Sequence, residues 1–74
     1  MVTWKTLQRA CKRKGIEILP HGSERLLLMP QPGGQKVCHV LSHNCCHSQS
    51  AIVWAEHLAT IKRKFGVTDD DFKK

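Results

Sequence analysis

The chain has 74 residues, 41% hydrophobic and 24% charged, and its 12 Lys and Arg outnumber its 6 Asp and Glu to give a net charge of +6. This length permits one small domain, which buries only about 60% of the surface that the unfolded chain exposes. The composition excludes a disordered chain, and the apolar runs fall far short of the roughly 18 residues of a membrane-spanning helix.

The amino-terminal segment, MVTWKTLQRACKRKG, has charges wherever a secretory apolar segment would lie. We therefore expect a soluble, unexported chain in the cytoplasm. Four cysteines would suit a secreted disulfide scaffold, but Cys45 and Cys46 are adjacent and reduced thiols are expected. The excess of basic charge favours a polyanionic partner.

The first predicted element is an amphipathic helix over residues 3–14. Thr3 is placed to cap its amino terminus, and Gly15 follows its last residue. One face has apolar residues at helical spacing: Trp4, Leu7, Ala10 and Cys11. The opposite face is a basic ridge: Lys5, Arg9, Lys12 and Arg13, with Gln8 among them.

Three short strands are predicted next, over residues 16–19, 25–29 and 36–42. Pro20 and the Gly22-Ser23 pair end the first strand, and the segment PQPGGQ supplies the second turn. In the third strand Val37, His39 and Leu41 share one face. Connections this short favour an antiparallel meander.

Residues 42–50 are polar and aperiodic, which predicts a loop, and a second helix is predicted over residues 50–65. Its apolar seam is Trp54, Leu58, Ile61 and Phe65. Both Trp4 and Trp54 are therefore expected in the core. Thr68 and Asp71 resemble a capping box for one further turn, which would return Phe72 to the core.

These elements predict a single α+β domain over residues 1–74 with the order α-β-β-β-α. A three-stranded antiparallel sheet with one apolar face is covered by both amphipathic helices, and the other sheet face is left open.

The segment CHVLSHNCCH is rich in side chains that bind zinc. Structural zinc sites usually take ligand pairs from short knuckles such as Cys-x-x-Cys, and this segment has none. We therefore expect no metal and no cofactor. A zinc-stabilised nucleic-acid-binding domain remains as a weaker reading of the same segment.

Several segments, in this order, resemble the HicA family of bacterial toxins from toxin-antitoxin pairs. They are KRKGIEI, HGSERLLLMPQPGG, the strand leading to LSH, and IKRKFGVTDDDF. The resemblance spans nearly the whole chain and includes Gly22, Ser23 and His43. It implies a double-stranded-RNA-binding-like fold, metal-independent cleavage of mRNA, and inhibition by a HicB-like antitoxin.

The chain departs from the family at the active-site histidine, because Glu24 and Arg25 stand where the family has it. Metal-free cleavage of RNA needs a group that takes the proton of a 2′-hydroxyl and another that protonates the leaving oxygen. Imidazole suits both roles. His21, before the Gly-Ser pair, and His43, at the end of the third strand, could compensate. The candidate catalytic residues are therefore His21, Glu24 and His43.

The resemblance, taken together with these residues, predicts one of two functions. The first is an RNA-binding toxin that cleaves mRNA, with phosphates held by Lys5, Arg9, Lys12, Arg13 and Arg25. The alternative is a catalytically inactive module of the same fold that binds RNA or a partner protein.

The chain's remaining candidate histidines have structural roles in this interpretation. We expect His39 to pack on the sheet and His57 to be structural.

Overall fold

The computed structural model describes residues 2–73, whose elements follow the order α-β-β-β-α. They are α1 (Trp4–Lys14), β1 (Glu17–His21), β2 (Glu24–Pro30), β3 (Lys36–Leu41), a short 3₁₀ helix (His43–Cys45), α2 (Ala55–Phe65) and a second 3₁₀ helix (Asp69–Phe72). The predicted α+β class and element order are confirmed.

Helix α1 is stabilised at both ends by the residues that the sequence indicates. The Thr3 hydroxyl accepts a hydrogen bond from the Thr6 amide at 3.3 Å, and Gly15 closes the helix with a left-handed φ of 76°. The predicted apolar stripe is buried: Trp4, Leu7, Ala10 and Cys11. The opposite, basic face therefore points away from the core.

The three strands form an antiparallel sheet in the order β1-β2-β3. In its centre Leu27 is fully buried and is paired with Ile18 on one side and His39 on the other. Strand β1 is longer than predicted, since it includes Pro20 and His21. Pro20 is tolerated there because β1 lies at the sheet edge.

One face of the sheet is covered and the other is open. Helix α1 packs on β1 and α2 packs on β3. Leu41 is fully buried on the covered face. Leu19, Leu26 and Val40 are aligned across the other face, where Leu19 and Val40 are each 37% exposed. The predicted open face is confirmed.

The predicted start of the second helix and the burial of Trp54 are wrong. The chain before α2 is extended, with Thr3 and Ile52 forming an isolated β-bridge. Ala51 and Val53 are buried whereas Ile52 and Trp54 point outward, which is the period of two of an extended segment. Trp54 is consequently 45% exposed and only precedes the helix.

The carboxyl-terminal turn has the predicted capping box between Thr68 and Asp71, and Phe72 packs against the core. The acidic residues of this turn form ion pairs with lysines: Asp69 with Lys62, Asp70 with Lys73, and Asp71 with Lys14. No helix within residues 2–73 has the length and apolar character to cross a membrane.

Candidate functional site

The candidate catalytic residues His21, Glu24 and His43 all adjoin the turn between β1 and β2. Gly22 has a φ of 63° in this two-residue turn, a backbone conformation that residues with a side chain rarely adopt. His21 and Glu24 are paired across the turn. The His43 Nδ1 atom lies 2.9 Å from the Ser23 carbonyl oxygen. The fold thus places His43, which follows β3, in contact with the turn that precedes Glu24.

The hydrogen bond of His43 defines which nitrogen is available for chemistry. A carbonyl oxygen only accepts, so Nδ1 of His43 must be protonated and donate to Ser23. In the neutral ring Nε2 is then unprotonated and can accept a proton. Because the His43 side chain is exposed, a ligand hydroxyl can reach it. The His43 ring also lies near that of His47, with the ring centroids 5.8 Å apart.

Arg25 is half-buried, and its guanidinium donates to the Glu24 carbonyl at 2.9 Å. In the register of the sheet it is opposite Leu41, on the covered face. Burial raises the pKa of Cys46 by more than the positive charge of Arg25 lowers it, so the net shift is upward. Arg25 is therefore closer to the interior than the exposed residues of α1.

A second group of polar side chains lies beside the end of β3. The Nε2 atom of His39 is 2.8 Å from Nδ1 of His57, and Nε2 of His57 is 3.2 Å from the Ser42 hydroxyl. His39 belongs to β3 and His57 to the first turn of α2, so this chain of hydrogen bonds joins the helix to the strand. It also fixes Ser42, the residue before His43.

The surroundings of the His39 imidazole favour its neutral form. Burial lowers its pKa below the ordinary 6.5, and the nearby charges of His57 and Lys64 lower it further. A neutral His39 can accept from His57 Nδ1, which leaves His57 Nε2 to accept from Ser42. The reverse arrangement, with every donor and acceptor exchanged, satisfies the same three groups.

Acid should therefore destabilise the fold through His39. Below pH 6.5 the unfolded chain protonates this residue whereas the folded chain resists, so stability falls as the pH drops from 6.5 through the lower pKa of the folded state. The pKa values of Asp69 and Asp71 are lowered from 3.8, so the contribution of these carboxylates to folding stability is lost only at more acidic pH. We expect the urea midpoint to decrease between pH 7.5 and 5.5, and to decrease less in His39→Gln.

His21→Gln is the matched control for this measurement, because His21 is exposed at the hairpin turn. Its midpoint should decrease with pH as the wild-type midpoint does. An equal decrease in wild type and His39→Gln would contradict the role of His39.

All four cysteines are free thiols. Cys11, Cys45 and Cys46 are buried and Cys38 is exposed. Burial raises the pKa of Cys11 to about 12, so this thiol is protonated at neutral pH. Within the described chain, residues 2–73, no group of three His, Cys, Asp or Glu side chains is placed to hold a metal ion.

The basic ridge of α1 differs from the basic cluster at the end of α2. Lys5, Arg9 and Lys12 are exposed and follow one side of the helix, and no ion pair involves them in the described chain. In α2, by contrast, Lys62 pairs with Asp69 and Lys64 donates to the Cys38 carbonyl. Arg13 of the ridge donates to the carbonyl of Asp71.

Sequence reasoning missed the contact between His39 and His57. His39 packs on the covered face as expected, whereas His57, treated as structural, links it to Ser42. The available signal was the position of His39 between Val37 and Leu41 on an apolar strand face, because a partly buried imidazole there needs a hydrogen-bond partner.

No family model, curated protein or solved structure matches the chain.

Proposed function

We propose that this chain is a HicA-like RNA-binding toxin that cleaves RNA without a metal ion, with His43 as the general base. The observation that carries the proposal is the hydrogen bond from His43 Nδ1 to the Ser23 carbonyl, which leaves Nε2 of this exposed residue as the acceptor. It holds an imidazole next to position 24, where the family has its catalytic histidine.

The reaction that suits this arrangement is attack of a ribose 2′-hydroxyl on the adjacent phosphate. His43 Nε2 takes the hydroxyl proton, the 2′-oxygen bonds to phosphorus, and the bond from phosphorus to the 5′-oxygen breaks. A second group must protonate that leaving oxygen. His21, exposed on the other side of the same turn, is the imidazole proposed for this step.

The basic ridge supports RNA as the ligand. Lys5, Arg9 and Lys12 present positive charge to solvent, whereas the acids of the last turn are paired with lysines outside the basic ridge: Lys62, Lys73 and Lys14, the last residue of α1. Phosphate contacts of this kind position a nucleic acid without reading its sequence. Arg13 and Arg25 complete the proposed set of RNA-binding residues.

The resemblance to the HicA family also implies a protein partner, which we propose is a HicB-like antitoxin. The open reading frame adjacent to the gene should encode a protein of that type. The alternative function, a non-catalytic module that binds RNA or a protein, is favoured by one observation: position 24 is Glu, and a carboxylate is a weaker base than an imidazole.

RNA binding should depend strongly on salt and on α1. With about four to six phosphates neutralised, the logarithm of affinity should fall against the logarithm of salt concentration with a slope of about −3 to −5. Reversing the charge of Arg9 and Lys12 should weaken binding more than reversing that of Lys62 and Arg63. Fluorescence anisotropy with labelled RNA measures both effects.

Arg63→Glu alone is a cleaner control, because Lys62 is paired with Asp69. A flat salt response would refute the electrostatic interpretation. A larger loss from the α2 variants would place the RNA on a different face.

A further inference from the structure

Trp54 is an exposed aromatic side chain that contacts His57, the hydrogen-bond partner of Ser42 at the end of β3. Its ring stacks on that of His57, with centroids 5.7 Å apart and an interplanar angle of 25°. Despite this contact the residue is 45% exposed. Tryptophan is usually well covered in folded domains, so this position leaves a large apolar surface in contact with solvent.

The outward position of Trp54 is imposed by the local backbone. The Trp4 amide donates to the Ala51 carbonyl at 2.8 Å, and the Val53 amide donates to the Val2 carbonyl at 2.9 Å. These bonds hold the segment extended while Ala51 and Val53 point into the core, so Trp54 must point away from it. His57 then supports one part of the indole ring from the first turn of α2.

His57 is itself held by its bonds to His39 and Ser42, so the aromatic pair is fixed in orientation before any ligand arrives. Ser42 directly precedes His43. The exposed ring is therefore connected to the proposed general base through two contacts, from Trp54 to His57 and from His57 to Ser42.

We propose that Trp54 is a stacking site for one unpaired base of RNA, an inference that rests on the proposed function. A nucleobase has the flat π surface that an exposed indole ring accepts, and such stacking is tolerant of sequence. In a duplex both faces of each base are already covered by neighbours. The site therefore favours single-stranded RNA as the substrate class.

The test measures the affinity of an uncleavable, 2′-O-methylated single-stranded oligonucleotide for wild type, Trp54→Ala, Trp54→Phe and Ile52→Ala. Stacking by one base is worth about 1 to 3 kcal/mol, which corresponds to a Kd about 5- to 150-fold higher for Trp54→Ala. Trp54→Phe should recover most of the affinity. Ile52, which is 42% exposed and points outward like Trp54, is the matched control and should change Kd less than about twofold.

Three further readouts separate stacking from charge. The salt slope of Trp54→Ala should equal that of wild type, because no phosphate contact is removed. Duplex RNA of the same length should bind wild type and Trp54→Ala equally. Fluorescence of Trp54 should be quenched by the single strand, while Trp4, which is 3% exposed, contributes a constant background.

Unchanged single-strand affinity in Trp54→Ala, with binding still lost on charge reversal in α1, would overturn the stacking site and leave the proposed function standing. Equal losses for single-stranded and duplex RNA in Trp54→Ala would also overturn it. Absence of RNA binding by the wild-type chain would refute both proposals.

Discussion

Replacing His43 with alanine is expected to slow RNA cleavage by about 10²- to 10⁴-fold, which is the usual contribution of one positioned acid-base group. The reason is that His43 is oriented by its bond to the Ser23 carbonyl and is an exposed residue whose other ring nitrogen can accept a proton. Single-turnover cleavage of a labelled single-stranded RNA measures the effect. RNA affinity should change little, because His43 is not among the residues of the basic ridge.

His47→Ala is the matched control for His43→Ala. His47 is an exposed histidine from the same segment, and its ring neighbours that of His43. It should retain cleavage within a fewfold of wild type. Equal losses in both variants would indicate a change in the local structure, and full activity in His43→Ala would show that the general base is another group.

A single substitution at position 24 is expected to increase the rate of RNA cleavage. Glu24→His places an imidazole where the HicA family, which the sequence resembles, has its active-site histidine, and we expect it to accelerate cleavage by about 10²- to 10⁴-fold over wild type. Glu24 is half-buried and paired across the turn with His21, so the new imidazole would stand beside His21 and close to Ser23. The same single-turnover assay applies.

Glu24→Gln separates the two explanations for any activity of wild type. The amide keeps the size of the side chain and removes its acid-base function. Activity that survives in Glu24→Gln and disappears in His43→Ala would support the histidine mechanism. The opposite pattern would make Glu24 the base, and an inactive Glu24→His variant would favour the non-catalytic module.

Helix α1 could be predicted closely because three independent local signals agree. The Thr3 cap, the buried stripe from Trp4 to Cys11 and the terminal Gly15 all specify the same segment. The strands were also predictable as elements, with errors of one or two residues at their ends. Pairing across the turn, which a local pattern does not contain, extends β1 to His21.

The start of α2 could not be predicted from helical spacing alone. The residues Ala51 to Trp54 fit a helix by their spacing with Leu58, but they also alternate with the period of a strand. The amino-terminal segment decides between the two patterns by pairing with Ile52, a contact between residues far apart in sequence. Trp54 is exposed for that reason.

The candidate site was predicted only in part, since its residues come from segments that meet by folding. His21, Glu24 and His43 were identified from the motif order, and they do adjoin one turn. The bond between His39 and His57 joins residues 18 positions apart, and no local spacing contains it. A catalytic role for any of them stays a prediction.

Cleavage of single-stranded RNA by the purified chain in excess chelator is the measurement that tests metal-independent RNA cleavage most directly. The matched substrate has the same sequence with 2′-deoxyribose throughout. We predict that the RNA is cut with the chelator present, that the 5′ product carries a 2′,3′-cyclic phosphate, and that the deoxy strand stays intact. Cleavage that stops on chelation, cleavage of the deoxy strand, or intact RNA with both wild type and Glu24→His would contradict the account.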